Sequence, residues 1–255
     1  MQLDIAKYVH TDDLNELSIC NVLLNEIVHN SSFIKRAVHS IHPDMSHHIM
    51  NEQLYFVLDN VTQNGHYELS KYIMTFDDSL FIKHRLDPNK MNRALRGAVK
   101  GGHLKICEHF ITIDAYNLSY TLCSAAENGH LEICKYLVSC GANNFNGALY
   151  NSAKYGQLEM CKYFITIGAY NLYNTLCCAA ENGYLEICKY LVSCGIIDFS
   201  HTLIYAARGG HLDICKYLVS LGATDDGNAE NIAKQKGFDY VYKYLSQFNY
   251  AYSMV

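Results

Sequence analysis

The stretch Ala125-Ala126-Glu127-Asn128-Gly129-His130-Leu131-Glu132-Ile133-Cys134-Lys135-Tyr136-Leu137 returns one letter changed as Ala179-Ala180-Glu181-Asn182-Gly183-Tyr184-Leu185-Glu186-Ile187-Cys188-Lys189-Tyr190-Leu191. Its glycine belongs to a series, Gly102, Gly129, Gly156, Gly183, Gly210 and Gly237, spaced 27 residues apart, with Gly65 standing 37 residues before the first. A fixed period of this size means a stack of similar supersecondary units, none of which can bury its apolar face without a neighbour.

The columns of the repeat read as two helices. After the glycine, Leu131, Ile133, Cys134, Leu137 and Val138 recur as Leu185, Ile187, Cys188, Leu191 and Val192, at the three-to-four-residue spacing of a helix buried along one stripe. This helix B should end at the second glycine column, Gly141, Gly168, Gly195 and Gly222, because a helix C-terminus favours a left-handed residue. Before the repeat glycine lies helix A, marked by Thr121, Leu122, Ala125 and Ala126 and echoed by Thr175, Leu176, Ala179 and Ala180. The alanines permit close helix approach, and Thr is the expected N-cap.

These runs, with Gly141-Ala142 after them, resemble the ankyrin repeat over about residues 91–245. The resemblance implies an all-α stack of helix pairs and a protein-binding role. The sequence departs from the family in two ways. The Thr-Pro-Leu-His start of helix A survives only as Leu122, Leu149, Leu176 and Leu203, and the usual period is 33. The six missing residues come from the segment between helix B and the next helix A, so the projecting β-hairpins should be stubs with little or no strand. Compact repeats rich in Cys and Tyr are similar to the ankyrin proteins encoded in large families by giant DNA viruses of amoebae.

Residues 111–141 and 165–195 agree at 26 of 31 positions, differing at 114/168, 119/173, 120/174, 124/178 and 130/184. This points to recent duplication of a two-repeat block.

Composition narrows the function classes. Half of the 255 residues are hydrophobic, yet no apolar run reaches the roughly 18–20 residues that span a bilayer, and Met1-Gln2-Leu3-Asp4 opens without a basic segment feeding an apolar one. Net charge is −5, with Lys interleaved with Glu and Asp, so no basic stripe suited to phosphates is present. The expectation is a monomer in the cytoplasm (the host cell's, if viral), with protein partners and neither nucleic acid nor membrane.

No catalytic, cofactor or metal site is expected. Cys107, Cys134, Cys161, Cys188 and Cys215 share one helix-B column, so successive thiols should lie about 8–10 Å apart, too far for a bridge; they read as core residues. His103, His130 and His211 follow the repeat glycine, where ankyrin-type repeats use His to bond neighbouring loops. The group His39, His42, His47 and His48 around Pro43 could in principle bind a metal, but only Asp44 accompanies it at ligand spacing, and it reads as a polar interhelical turn. Asp12-Asp13, Asp77-Asp78 and Asp225-Asp226 sit in turns, where carboxylates cap helices.

The surface is left to carry function. In an ankyrin-type stack the helix-A row and stub turns line the concave side, and the two residues before each repeat glycine project there: Lys100-Gly101, Glu127-Asn128, Lys154-Tyr155, Glu181-Asn182 and Arg208-Gly209. Turns add Tyr120, Phe145, Asn146, Tyr173, Asn174, Phe199 and His201. Aromatics and Arg dominate interface energetics.

The ends differ from the middle. Residues 1–43 read as a helical cap; within them Leu3, Ile5, Tyr8, Val9, Leu14, Leu17, Ile19 and Cys20, followed by Ser32-Phe33-Ile34, resemble an F-box. That resemblance implies docking on the Skp-type linker of a cullin-RING ubiquitin ligase, although the motif's opening Leu-Pro pair and any Trp are absent. Residues 44–90 read as a degenerate first repeat, with Leu58 and Val61 in helix A and Leu69, Tyr72 and Ile73 in helix B, followed by a loop over 76–90. Regular repeats fill 91–222. The segment 223–255 reads as a capping repeat and tail, with Glu230 and Lys234 on its polar outer face, Ile232, Ala233, Val241 and Leu245 inward, and Tyr250–Val255 frayed.

Overall fold

The computed structural model describes residues 58–67, 70, 88–114, 117–225 and 227–252, all helical or in short connections and with no strand among them. The chain divides into two compact units, Met1–Tyr116 and Asn117–Val255. In the first, residues 58–63 are helical, followed by α1 (Pro88–Gly101) and α2 (Leu104–Asp114). Leu58 and Val61 are buried as expected; Leu69, Tyr72 and Ile73 lie outside the described residues, as does everything before residue 58. Helix α1 begins three residues inside the expected loop, since Pro88 at the first helical position loses no hydrogen bond.

The second unit holds five helix pairs: α3 (Leu118–Glu127) and α4 (Leu131–Ser139), α5 (Phe145–Lys154) and α6 (Leu158–Thr166), α7 (Leu172–Glu181) and α8 (Leu185–Ser193), α9 (Ser200–Gly209) and α10 (Leu212–Ser220), α11 (Asn228–Lys236) and α12 (Asp239–Tyr252). Helices of nine or ten residues are marginal alone, so packing must hold them. Each A helix packs on its own B helix and on the next A helix, giving an unbroken row α3, α5, α7, α9, α11. The small Ala125/Ala126, Ala179/Ala180 and Ala206/Ala207 columns, all fully buried, let these backbones approach closely. Leu122, Leu149, Leu176 and Leu203 fill the seam above them, and Ile133, Cys134, Leu137 and their repeat equivalents close it from the B side.

The N-caps correct one expectation. Thr121 and Thr175 are not caps: each is buried one turn inside its helix, donating its hydroxyl to the carbonyl of Asn117 (3.0 Å) or Asn171 (2.7 Å). The N-cap residue is the asparagine four residues earlier, although Asn171 makes no side-chain cap bond. Asn117 Oδ1 accepts from Tyr120 N, and Asn144 Oδ1 from Gly147 N. In the last repeat the Asp225 carboxylate takes this role, accepting from Gly227, Ala229 and Glu230 N–H groups. Its charge also suits the positive end of the helix. At the far end α12 runs to Tyr252, past the expected fraying point, and Ala229 rather than the half-buried Ile232 joins Ala233, Val241 and Leu245 in the core.

The repeat glycine does more than end helix A. At Gly183 the backbone is left-handed (φ +85°), and an added Cβ would stand 2.5 Å from the His211 ring of the next repeat. That ring cannot swing away freely, because His211 Nε2 bonds to the Glu181 carbonyl at 3.1 Å. The same device recurs with His103 on the Gln63 carbonyl (2.9 Å), and Gln157 donates to the Glu127 carbonyl at 3.5 Å. The expected loop-bonding role of His103 and His211 is therefore seen directly.

The five helix-B thiols are fully buried and free. Desolvation pushes Cys107, Cys134, Cys161, Cys188 and Cys215 up to about 12.

Two predictions follow from this packing. Gly183→Ala should cost about 2–4 kcal/mol in urea unfolding, combining positive-φ strain with displacement of a bonded ring, whereas Gly195→Ala, at φ +103° with open space around it, should cost only about 1 kcal/mol. The buried thiols keep their protons in the folded chain at pH values where the unfolded chain, titrating near 8.5, has released them. Stability is then complete below about pH 8.5 and falls as pH rises towards 12, each thiol removing up to about 1.4 kcal/mol per pH unit. Urea midpoints measured from pH 8 to 10.5 should drop steadily, and Cys188→Ala should flatten the slope.

Candidate functional site

The two long sides of the second unit are built on different rules. On the helix-B side three successive repeats carry the same pair, an acid in the first turn and a lysine three residues on: Glu132–Lys135, Glu159–Lys162 and Glu186–Lys189 bond at 2.6–2.7 Å. The acid suits the positive end of its helix, and the lysine is held within the same helix. In the next repeat Lys216 lies 5.8 Å over the Tyr244 ring. Over these three repeats the surface is uniform and internally matched. Helices α4 and α8 are identical in sequence, LEICKYLVS.

The helix-A side changes from repeat to repeat. Of the five differences between the duplicated blocks, 119/173, 120/174 and 124/178 fall within α3 and α7. Here the structure gathers a chain of side chains. The Tyr173 ring lies parallel to His201 (6.2 Å, 7°), and His201 meets Tyr205 edge-on at 5.2 Å. The Arg208 guanidinium sits 4.7 Å over Tyr205 and 3.7 Å from the Glu181 carboxylate. Towards α5, the Tyr150 phenol donates to the Cys178 sulfur; this bond, with the nearby thiol charge and burial adding to it, pushes Tyr150 up to about 12. Lys154 lies 5.4 Å over the Tyr155 ring. Tyr150 and Tyr155 remain 41% and 43% exposed.

Measured against the expected site, the helix-A positions Lys154, Tyr155, Tyr173, Glu181, His201 and Arg208 belong to this surface. Of the residues expected in turns, Tyr120, Tyr173, Asn174 and His201 lie in the first turns of the A helices, Phe145 and Asn146 open α5, and Phe199 is the N-cap residue of α9; Asn128, Tyr155 and Asn182 are C-cap residues. Several of the expected polar groups are occupied within the fold. Asn146 Oδ1 accepts from both Tyr170 N and Asn171 N, pinning the next stub turn. Asn128 and Asn182 donate to the carbonyls of Ser124 and Cys178 four residues back. Gly209 is needed for fit, since a Cβ there would strike the Glu181 carbonyl. Glu127 and Phe145 are half-buried, Tyr120 and Asn174 exposed.

Sequence reasoning missed Tyr150 and Tyr205. Both occupy columns that hold Cys, Ser, Asn or Ile elsewhere, and that irregularity on an otherwise periodic face was the available signal. Exposed Tyr170 and Ile197 share the stub-turn column and were also missed. The F-box-like positions Leu3, Ile5, Tyr8, Val9, Leu14, Leu17, Ile19 and Cys20, and the group His39, His42, His47 and His48, lie outside the described residues. Among the described residues no helix is long and apolar enough to cross a membrane.

The contacts on this side are solvent-screened and individually small. Arg208→Ala and Tyr155→Ala should each change unfolding free energy by less than about 1 kcal/mol, against about 2–5 kcal/mol for Leu176→Ala in the seam, as read by urea denaturation.

A family model described as ankyrin repeats (3 copies) matches residues 95–172, 122–202 and 149–231, over half of the chain in all. A search of curated proteins finds no match.

Proposed function

Since the chain belongs to the ankyrin repeat family, whose repeats serve in general as non-enzymatic protein–protein interaction scaffolds, we propose that it holds a partner protein on the concave, helix-A side of its stack. The supporting observation is the run of exposed and half-exposed Tyr150, Tyr155, Tyr173, His201, Tyr205 and Arg208 on the one side that varies between repeats. Aromatic rings and Arg bury large area at small entropic cost and supply most binding energy where they occur. The helix-B side varies less along the stack, with the same tyrosine column (Tyr136, Tyr163, Tyr190, Tyr217 and Tyr244) throughout and the same acid–lysine pair in three repeats. In this reading 91–222 carries the binding repeats, 223–255 caps them, and 1–43 with 44–90 closes the other end. The 27-residue step and the wealth of Cys and Tyr support kinship with the repeat proteins of giant DNA viruses of amoebae, acting in the host cytoplasm.

A second reading makes the chain a substrate receptor of a ubiquitin ligase. It rests on the F-box resemblance of residues 5–34, with the repeats then holding the target. Recovery of the Skp-type linker and cullin with the full-length chain, lost when residues 1–40 are deleted, would support it.

Affinity capture from host cells, followed by mass spectrometry, identifies the partner of either kind. Tyr150→Ala, Tyr155→Ala and Arg208→Ala should each weaken its binding by roughly tenfold or more, while Glu159→Ala and Lys162→Ala on the helix-B side leave it unchanged. Loss confined to the helix-B variants would reverse the assignment of faces.

A further inference from the structure

Four asparagines of the chain stand directly before a glycine: Asn64, Asn128, Asn146 and Asn182. Three of them occupy the column before the repeat glycine, which reads Asn64, Gly101, Asn128, Tyr155, Asn182, Gly209 and Lys236. Asparagine loses its side-chain amide most readily in this pairing, because glycine has no Cβ to hinder its own nitrogen. The glycine nitrogen, having given its proton to hydroxide, attacks Cγ of the asparagine. The new C–N bond closes a five-membered succinimide, and the Cγ–Nδ2 bond breaks, its nitrogen taking a proton from water and leaving as ammonia. A second water opens the ring at either carbonyl. The product is an aspartate, or an isoaspartate whose main chain runs through Cγ.

The stacked chain opposes this reaction at Asn128 and Asn182. Ring closure needs the glycine nitrogen to eclipse the asparagine Cβ; with ψ at 0° and 2° it eclipses the asparagine's own backbone nitrogen instead. The carboxamides are tied back as well, Asn128 Nδ2 donating to the Ser124 carbonyl at 2.8 Å and Asn182 Nδ2 to the Cys178 carbonyl at 2.9 Å. Asn64 Nδ2 is held in the same way by the Asn60 carbonyl at 2.8 Å. Rotation that would release these locks is resisted by the next unit, since Gln157 lies against Gly129 and the His211 ring against Gly183. From this geometry we infer that Asn128 and Asn182 are modification sites gated by stacking: each loses ammonia only while its junction is open, and its conversion is a permanent record of that opening. Isoaspartate lengthens the main chain immediately before the left-handed glycine. Either product gives up the Nδ2 donor and sets a carboxylate at the negative end of α3 or α7, where charge of that sign is unfavourable. In neighbouring units Gly101, Tyr155 and Gly209 fill the same column, and none of them has a carboxamide to lose.

The test needs no partner. The full chain is incubated at neutral pH under reducing conditions, with and without urea, and then digested with trypsin. Cleavage after lysine leaves Asn128 in the peptide 106–135 and Asn182 in 163–189, where mass spectrometry with isoaspartate detection reads each site. Asn171 and Asn174 share the second peptide but precede Leu172 and Thr175, and serve as internal standards. In urea Asn128 and Asn182 should convert ahead of both standards. In the folded chain their conversion should be slower by roughly tenfold or more, because it waits on local opening. His211→Ala removes the ring from Gly183 and should speed Asn182 several-fold in the folded chain while Asn128 keeps its wild-type rate; Gln157→Ala should speed Asn128 and spare Asn182. Circular dichroism melts check that both variants remain folded. A folded chain converting as fast as the chain in urea, asparagines in urea no faster than the standards, or variants that speed both sites equally would each overturn gating at the junction.

Discussion

Each unit of the structure depends on one contact repeated at its junctions: the residue after the repeat glycine closes against the glycine of the repeat before it. His211 over Gly183, with its ring nitrogen on the Glu181 carbonyl, shows the parts. Short helices have no stability of their own to spend, so each pair must be registered on its neighbour before its leucines and alanines can be buried. A left-handed glycine turns the chain sharply, leaves no Cβ in the way, and presents the preceding carbonyl to a side chain arriving from the next unit. Gln157 fills the same place with an amide in another unit. The position tolerates any side chain that is flat enough to lie on glycine and reaches the carbonyl or packs over it; Phe238, over Gly210, does so with no polar atom at all.

What could be read from the sequence was what repeats. Glycine period, alanine seam, helix-B stripe and the thiol column each occur four or more times, and the burial of Cys107, Cys134, Cys161, Cys188 and Cys215 follows from their spacing alone. The shortened connections announced the lack of strand among the described residues. Errors arose where a side chain could satisfy either of two neighbouring backbone groups. Thr121 and Thr175 have cap chemistry, but Asn117 lies nearer the free N–H groups of its helix, and both threonine hydroxyls turn back to the carbonyl four residues earlier instead.

The candidate site was legible as a side and blurred as a set of residues. Spacing placed Lys154, Glu181 and Arg208 together because they share a column, and Tyr155 beside them in the next one. It could not show that Asn146 spends its carboxamide on the next turn, or that Asn128 and Asn182 bond within their own helices. It also passed over Tyr150 and Tyr205, whose columns hold smaller residues elsewhere and whose roles emerge only from the rings and thiol around them. Periodic reasoning is blind to the exceptions by construction, and a recognition surface is made of exceptions.

The 54-residue duplication has a consequence for how such a chain can change. Because 111–141 and 165–195 are nearly the same text, gain or loss of one two-unit block by unequal exchange leaves every seam intact: each new junction joins columns that already fit. The molecule can therefore be lengthened or shortened without passing through an unfolded intermediate in its history, and the block length is an even number of units, so whatever alternates along its surface emerges from the cut still in phase.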